Sequence, residues 1–123
     1  MAFRFPDKDP SEKLDFTVDW SRYLGALTII DFQWKIIDAS GVEYDFNPGN
    51  AFENGAVVLA TSETTGLENA GQSVTDTEVT IILDKGINNL TYELVCQITT
   101  SVSPSTGASI ITDRKVKIKV VER

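Results

Sequence analysis

From Leu14 to Trp20 the chain alternates strictly: Leu14, Phe16, Val18 and Trp20 fall on one side, and Asp15, Thr17 and Asp19 on the other. A period of two marks a strand with one buried face and one wet face. The pattern returns near the end, where Val116, Ile118 and Val120 alternate with Lys115, Lys117 and Lys119. Between them, residues 28–37 predict a strand with Ile30, Phe32, Trp34 and Ile36 on one face. Residues 74–83 predict another, with Val79, Ile81 and Leu83 as its best face, and residues 91–102 a long one. Residues 42–46 and 55–61 read as shorter strands, and residues 110–121 as the last.

The punctuation agrees with this division. Residues 21–26 form a turn or helical turn, with Gly25 placed to stop it. Asn47-Pro48-Gly49-Asn50 is a run of four strong turn formers. Asp84-Lys85-Gly86, Asn88-Asn89 and residues 103–107 mark further turns. Residues 62–73 are polar and glycine-containing, and read as an exposed loop. About seven antiparallel strands at this spacing predict a single all-β sandwich over residues 14–123. Its expected core is Phe16, Val18, Trp20, Phe32, Trp34, Ile81, Leu83, Leu94, Cys96, Ile98, Val116 and Ile118. Tyr92, near a strand start, is similar to the tyrosine that ties a corner in immunoglobulin-like folds; the alternative is a core tyrosine without that role.

Residues 1–13 show no periodicity and form an N-terminal arm. Phe3 and Phe5 sit in it among charges. They either pair the arm onto the sandwich edge or anchor it into another subunit. The arm is expected to be mobile in the free protein and to order on assembly, at an entropic cost that buried phenylalanines offset.

A chain of 123 residues is the size of one domain. No apolar run approaches the roughly 20 residues that span a bilayer, and the opening residues lack the apolar core of a signal peptide. The one cysteine, Cys96, leaves no internal disulfide and reads as a small buried residue in a chain folded in a reducing cytoplasm. The net charge of −7 divides unevenly: −1 over residues 1–22, −9 over 23–110 and +3 over 111–123. An acidic body repels phosphate backbones, which argues against nucleic-acid binding. The lysines of the last strand either pair with acids on adjacent strands or meet an oppositely charged neighbour.

Candidate chemistry is sparse. The chain has no histidine, which removes the commonest general base and metal ligand. Gly66 and Gly71 lack the partners of a phosphate loop. Residues 45–50 resemble a calcium-loop fragment without its terminal glutamate. Asn89-Leu90-Thr91 is a glycosylation sequon of no consequence without secretion. The expectation is a protein that is not an enzyme and uses no cofactor or metal.

One set of motifs points further. Lys8-Asp9-Pro10, Leu14-Asp15-Phe16, Asp19-Trp20 and Leu24, followed by Trp34, resemble the opening of small fibre–tail adaptors of tailed bacteriophages. The closing Thr112-Asp113-Arg114-Lys115 is similar to that family's basic last strand. The resemblance covers roughly residues 8–36 and 79–120, and residues 38–73 are longer than the family's corresponding stretch. It implies an immunoglobulin-like sandwich located in the tail or neck of a virion. Its neighbours would be the tail hub, the fibre or a portal-proximal ring, with several copies in a symmetric ring and no nucleic acid or membrane as partner. Phe3, Phe5, Lys115, Lys117 and Lys119 are the expected partner-binding residues. A head–tail joining or decoration protein is the alternative within the same class. A carbohydrate-binding module would need exposed coplanar aromatics, and residues 62–73 have none.

Overall fold

The computed structural model describes residues 3–53, 56–59 and 66–122. Its strands are β1 (Phe3–Arg4), β2 (Leu14–Asp19), β3 (Ile29–Ile37), β4 (Glu43–Asp45), β5 (Asn50–Glu53), β6 (Ala56–Leu59), β7 (Leu67–Val74), β8 (Glu78–Lys85), β9 (Leu90–Thr100) and β10 (Ile111–Val120). A single helical turn, α1 (Ser21–Leu24), follows β2 and stops at Gly25, whose φ of 58° favours a residue without a Cβ. Two five-stranded sheets run β1-β10-β9-β3-β4 and β2-β8-β7-β5-β6. Every pairing is antiparallel except that of β1 with β10. Among the described residues no helix is long and apolar enough to cross a membrane.

The large alternating residues build the core between the sheets. Phe16, Val18 and Trp20 come from one layer with Val79, Ile81 and Leu83; Trp34, Tyr92, Leu94, Cys96, Ile98, Val116 and Ile118 come from the other. All twelve expected core residues join this cluster or pack against it, with Phe32 partly buried. Tyr92 is buried, and its hydroxyl oxygen accepts the Ile87 N–H at 3.0 Å, so it ties the β8–β9 turn to the core.

Four expectations need correction. Ile30 does not share a face with Trp34 and Ile36: it is 61 % exposed and Ile29 is buried instead. The pairing of β3 with β9 slips between Ile29 and Asp31, and such a bulge reverses the side-chain alternation at that point. Residues 67–73 are not loop but belong to β7, while the expected strand over 74–83 begins only at Glu78. The loop reading failed because β7 carries Asn69 at an inward position. That amide donates to Phe46 O at 2.8 Å and Gln72 Oε1 at 3.0 Å, and its oxygen accepts the Gly71 N–H, so burial leaves no orphaned polar group. Residues 62–65 lie outside the described residues. Ten strands are described where about seven were expected, because β1 and β5 are too short to carry a readable period and β7 lacks a run of large apolar residues. The arm is also not detached, as set out below.

The β3–β4 hairpin rests on one carboxylate. Asp38 Oδ1 accepts the N–H groups of Ser40 (2.8 Å) and Val42 (2.9 Å), and its Oδ2 accepts the Tyr44 hydroxyl (3.1 Å). The Val42 N–H, with the other donors, holds the Asp38 carboxyl below its ordinary pKa. A depressed folded-state value means that this stabilisation is present above the unfolded carboxyl pKa, about 3.9, and is lost as pH falls through the folded value. Asp38→Asn should therefore flatten the acid limb of stability below about pH 4, as measured by urea unfolding across pH 2–5. An unchanged acid limb would remove Asp38 from that account.

Candidate interaction surface

Within the arm, residues 3–8 lie along β10. Phe3 pairs with Val116 and Arg4 with Lys117 in parallel register. The Phe5 N–H donates to Lys117 O (2.8 Å), the Lys8 N–H to Lys119 O (3.0 Å), and the Val121 N–H to Lys8 O (2.8 Å). Phe5 is buried and stacks on Phe16 with ring centroids 4.8 Å apart, with Trp34 beyond at 6.5 Å. An arm closed onto its own domain in this way corrects the expectation of mobility. The reason is that the rim of the sandwich offers both an unpaired strand edge and an apolar socket between the sheets. Phe5 is therefore a core residue of its own chain. The Phe3 side chain lies outside the described part of the structure.

Lys8 was legible only as part of a motif, and the structure gives it a role of its own. It is fully buried, and its Nζ donates to Lys85 O at 2.6 Å and Asp9 O at 2.9 Å. Burial lowers its pKa, opposed by the nearby charges of Asp84, Glu12 and Asp9. The ammonium thus pins the arm to the β8–β9 turn. Asp9 and Glu12 close the turn that follows, with Asp9 N–H donating to Glu12 Oε1 at 2.9 Å and Glu12 N–H to Asp9 O at 3.0 Å. At the β8–β9 turn Gly86 has φ 109°, and a Cβ there would meet Val120 Cγ2 at 2.7 Å. Close packing of the turn on the last strand thus requires glycine.

The lysines of β10 stand where the alternation put them. Val116, Ile118 and Val120 are buried, Lys115 and Lys117 exposed, and Lys119 partly so. Strand register sets Lys117 beside Glu93, and Lys115 beside Val95. Ion pairs among the described residues join Arg4 to Asp7, Lys35 to Glu43 and Lys85 to Glu68; none involves Lys115, Lys117 or Lys119. Val95 is buried although it is on the outer face, and register places it between Lys35 and Lys115, whose aliphatic stems can cover it.

Arg114 behaves differently from the lysines beside it. Its guanidinium carbon lies 4.3 Å above the Trp20 ring, and its Nη1 donates to Asp19 O at 3.1 Å. It links the last strand of one sheet to the end of β2 in the other. The spacing of Asp19-Trp20 and Arg114 in the sequence carries no hint of this contact, since the residues are 95 positions apart.

Two remaining features are committed internally. Cys96 is buried, and burial pushes its thiol up to about 12, so it is protonated at neutral pH and packs as a small apolar residue. At the far end of the sandwich, a cleft of about 460 Å³ has Ile37, Phe52, Leu90 and Tyr92 among its lining. Of its two carboxylates, Asp38 serves the β3–β4 hairpin and Glu93 stands opposite Lys117 in the strand register; the Tyr92 hydroxyl serves the β8–β9 turn.

The chain matches no family model, and no curated protein matches it.

Proposed function

We propose that this chain is a structural adaptor of a tailed-phage virion that joins the tail or its hub to receptor-binding fibres. The observation that carries the reading is the row Lys115, Lys117 and Lys119: three outward charges on one strand with no ion pair among the described residues. Such a row costs desolvation only when a partner covers it, and it steers an oppositely charged partner into register. The opening motif Lys8-Asp9-Pro10 through Trp20, with its resemblance to the adaptor family, supplies the setting. The strand order supports the immunoglobulin-like form of the sandwich. Strands β10, β9 and β3 share one sheet and β2, β8 and β7 the other, with the Tyr92 hydroxyl closing the corner before β9.

Replacement of all three lysines by glutamine should slow incorporation into particles at low ionic strength. The effect should fade as salt rises, with the melting temperature barely changed. Incorporation at the wild-type rate would sink the assignment of these lysines to a partner. A large loss of melting temperature would return them to pairing within their own sheet. A density map of the particle in which this chain sits away from both hub and fibre would end the adaptor reading.

A further inference from the structure

The large apolar side chains that remain exposed are gathered at one end. Six of the eight among the described residues, Tyr23, Ile30, Val74, Val102, Ile110 and Ile111, belong to the segments around α1, the start of β3, the β7–β8 turn and the β9–β10 loop. Main-chain bonds bring these segments together. The Trp20 N–H donates to Thr77 O (2.8 Å), Ile29 N–H to Asp76 O (2.9 Å), Ser101 N–H to Thr28 O (2.8 Å) and Thr100 N–H to Ile110 O (2.9 Å). Ile30 and Ile111 are the barest, at 61 % and 67 % exposed. Exposed apolar side chains grouped in this way mark an interaction surface more often than chance.

The rim of that end is acidic. Asp19, Asp31, Asp76, Glu78 and Asp113 are all exposed there, against Arg22 and the Arg114 that lies over Trp20. None of the five carboxylates belongs to an ion pair among the described residues. A surface with an apolar centre and an acidic rim fits a partner that presents basic side chains around apolar or aliphatic material. The outer face of β10 supplies such groups: Lys115, Lys117 and Lys119 have no ion pair among the described residues, and their aliphatic stems are the apolar material between the charges.

We infer that the partner is a second copy of this chain, with the acidic apolar end of one copy seated on the lysine face of β10 in the next. Two different patches meet in this arrangement, so the contact is heterologous and leaves one free end and one free face for further copies. Burial of Ile30 and Ile111 supplies affinity, and the carboxylate–lysine rim sets orientation and rate. The inference deepens the proposed function by naming the partner of the lysine row, and rests on that reading only for its biological setting.

The test uses three purified full-length proteins: wild type, an end variant (Ile30→Ser with Ile111→Ser) and a face variant (Lys115→Glu, Lys117→Glu and Lys119→Glu). Sedimentation velocity should show wild type associating with rising concentration and dissociating with rising salt, and each variant alone should be monomeric. An equimolar mixture of the two variants should give a one-to-one dimer and nothing larger, because one partner keeps the face and the other keeps the end. Wild type that stays monomeric, or a mixture that stays monomeric while wild type associates, overturns the inference. A second measurement needs no variant. Zero-length carbodiimide cross-linking of mixed light and heavy wild type should join Lys115, Lys117 or Lys119 of one copy to Asp31, Asp76, Glu78 or Asp113 of another. Cross-links confined to single copies count against it. Association of this kind in a chain that never enters a particle would overturn the adaptor reading and leave the self-association standing.

Discussion

Trp20→Ala should lower the unfolding free energy by about 3–5 kcal/mol, the range for removing a large buried aromatic. Trp20 is 1 % exposed, with Tyr23 edge-on at 5.8 Å and the Arg114 guanidinium above its ring. The substitution opens a cavity at the junction of β2, α1 and the start of β10, and deprives Arg114 of its aromatic face. For a domain whose total stability is of order 5–15 kcal/mol, that is a large fraction. Urea unfolding followed by circular dichroism gives the value directly. A loss below about 1 kcal/mol would mean that the site collapses and the indole is replaceable. Arg114→Met separates the two contributions: it keeps an aliphatic cover on the ring and removes the cation, so its cost should be much smaller, on the order of 1 kcal/mol.

Phe5→Ala should have an effect of the same order in the isolated protein, about 3 kcal/mol. The phenylalanine is 7 % exposed, stacked on Phe16, and held by a main-chain bond to Lys117 on the neighbouring strand. Its loss removes the only large apolar group with which residues 4–13 enter the core cluster. The arm's hydrogen bonds to β10 should then fray, visible as faster amide exchange at Lys8 and Val121. A Phe5→Ala protein as stable as wild type, with protection at those amides unchanged, would restore the picture of an arm held in reserve for another subunit. Lys8 predicts which part of the arm survives. Its ammonium stays bonded to Lys85 O and Asp9 O, so the turn at residues 9–12 should remain protected longer than β1.

The parts of the fold that were legible are those in which a local pattern coincides with a long-range constraint. Strands β2 and β8, the β9 row from Leu90 to Ile98 and the β10 row from Val116 to Val120 place an apolar residue at every second position, and burying one of them aligns the rest. The part of the core that these strands supply, the outward lysines and the burial of Cys96 follow from that alternation. Turns were equally readable where glycine, proline and asparagine cluster: Asn50 N–H donates back to Asn47 O at 3.1 Å across Gly49, whose φ is 88°.

Only the tertiary structure decided the rest. The bulge that turns Ile30 outward depends on how β3 meets β9, and nothing in residues 28–37 reports it. Asn69 could not be read as a buried strand residue, because its partners are the Phe46 carbonyl and Gln72. The arm has no period because one phenylalanine and one lysine, not an alternating face, hold it in place. The collection of Ile30, Val102, Ile110 and Ile111 at one acidic end, and the meeting of Arg114 with Trp20, arise from strand order. The physical reason is common to all of these: side-chain period is a property of neighbouring residues, whereas sheet order, register slips and sockets are set by segments far apart in the chain that compete to exclude the same water.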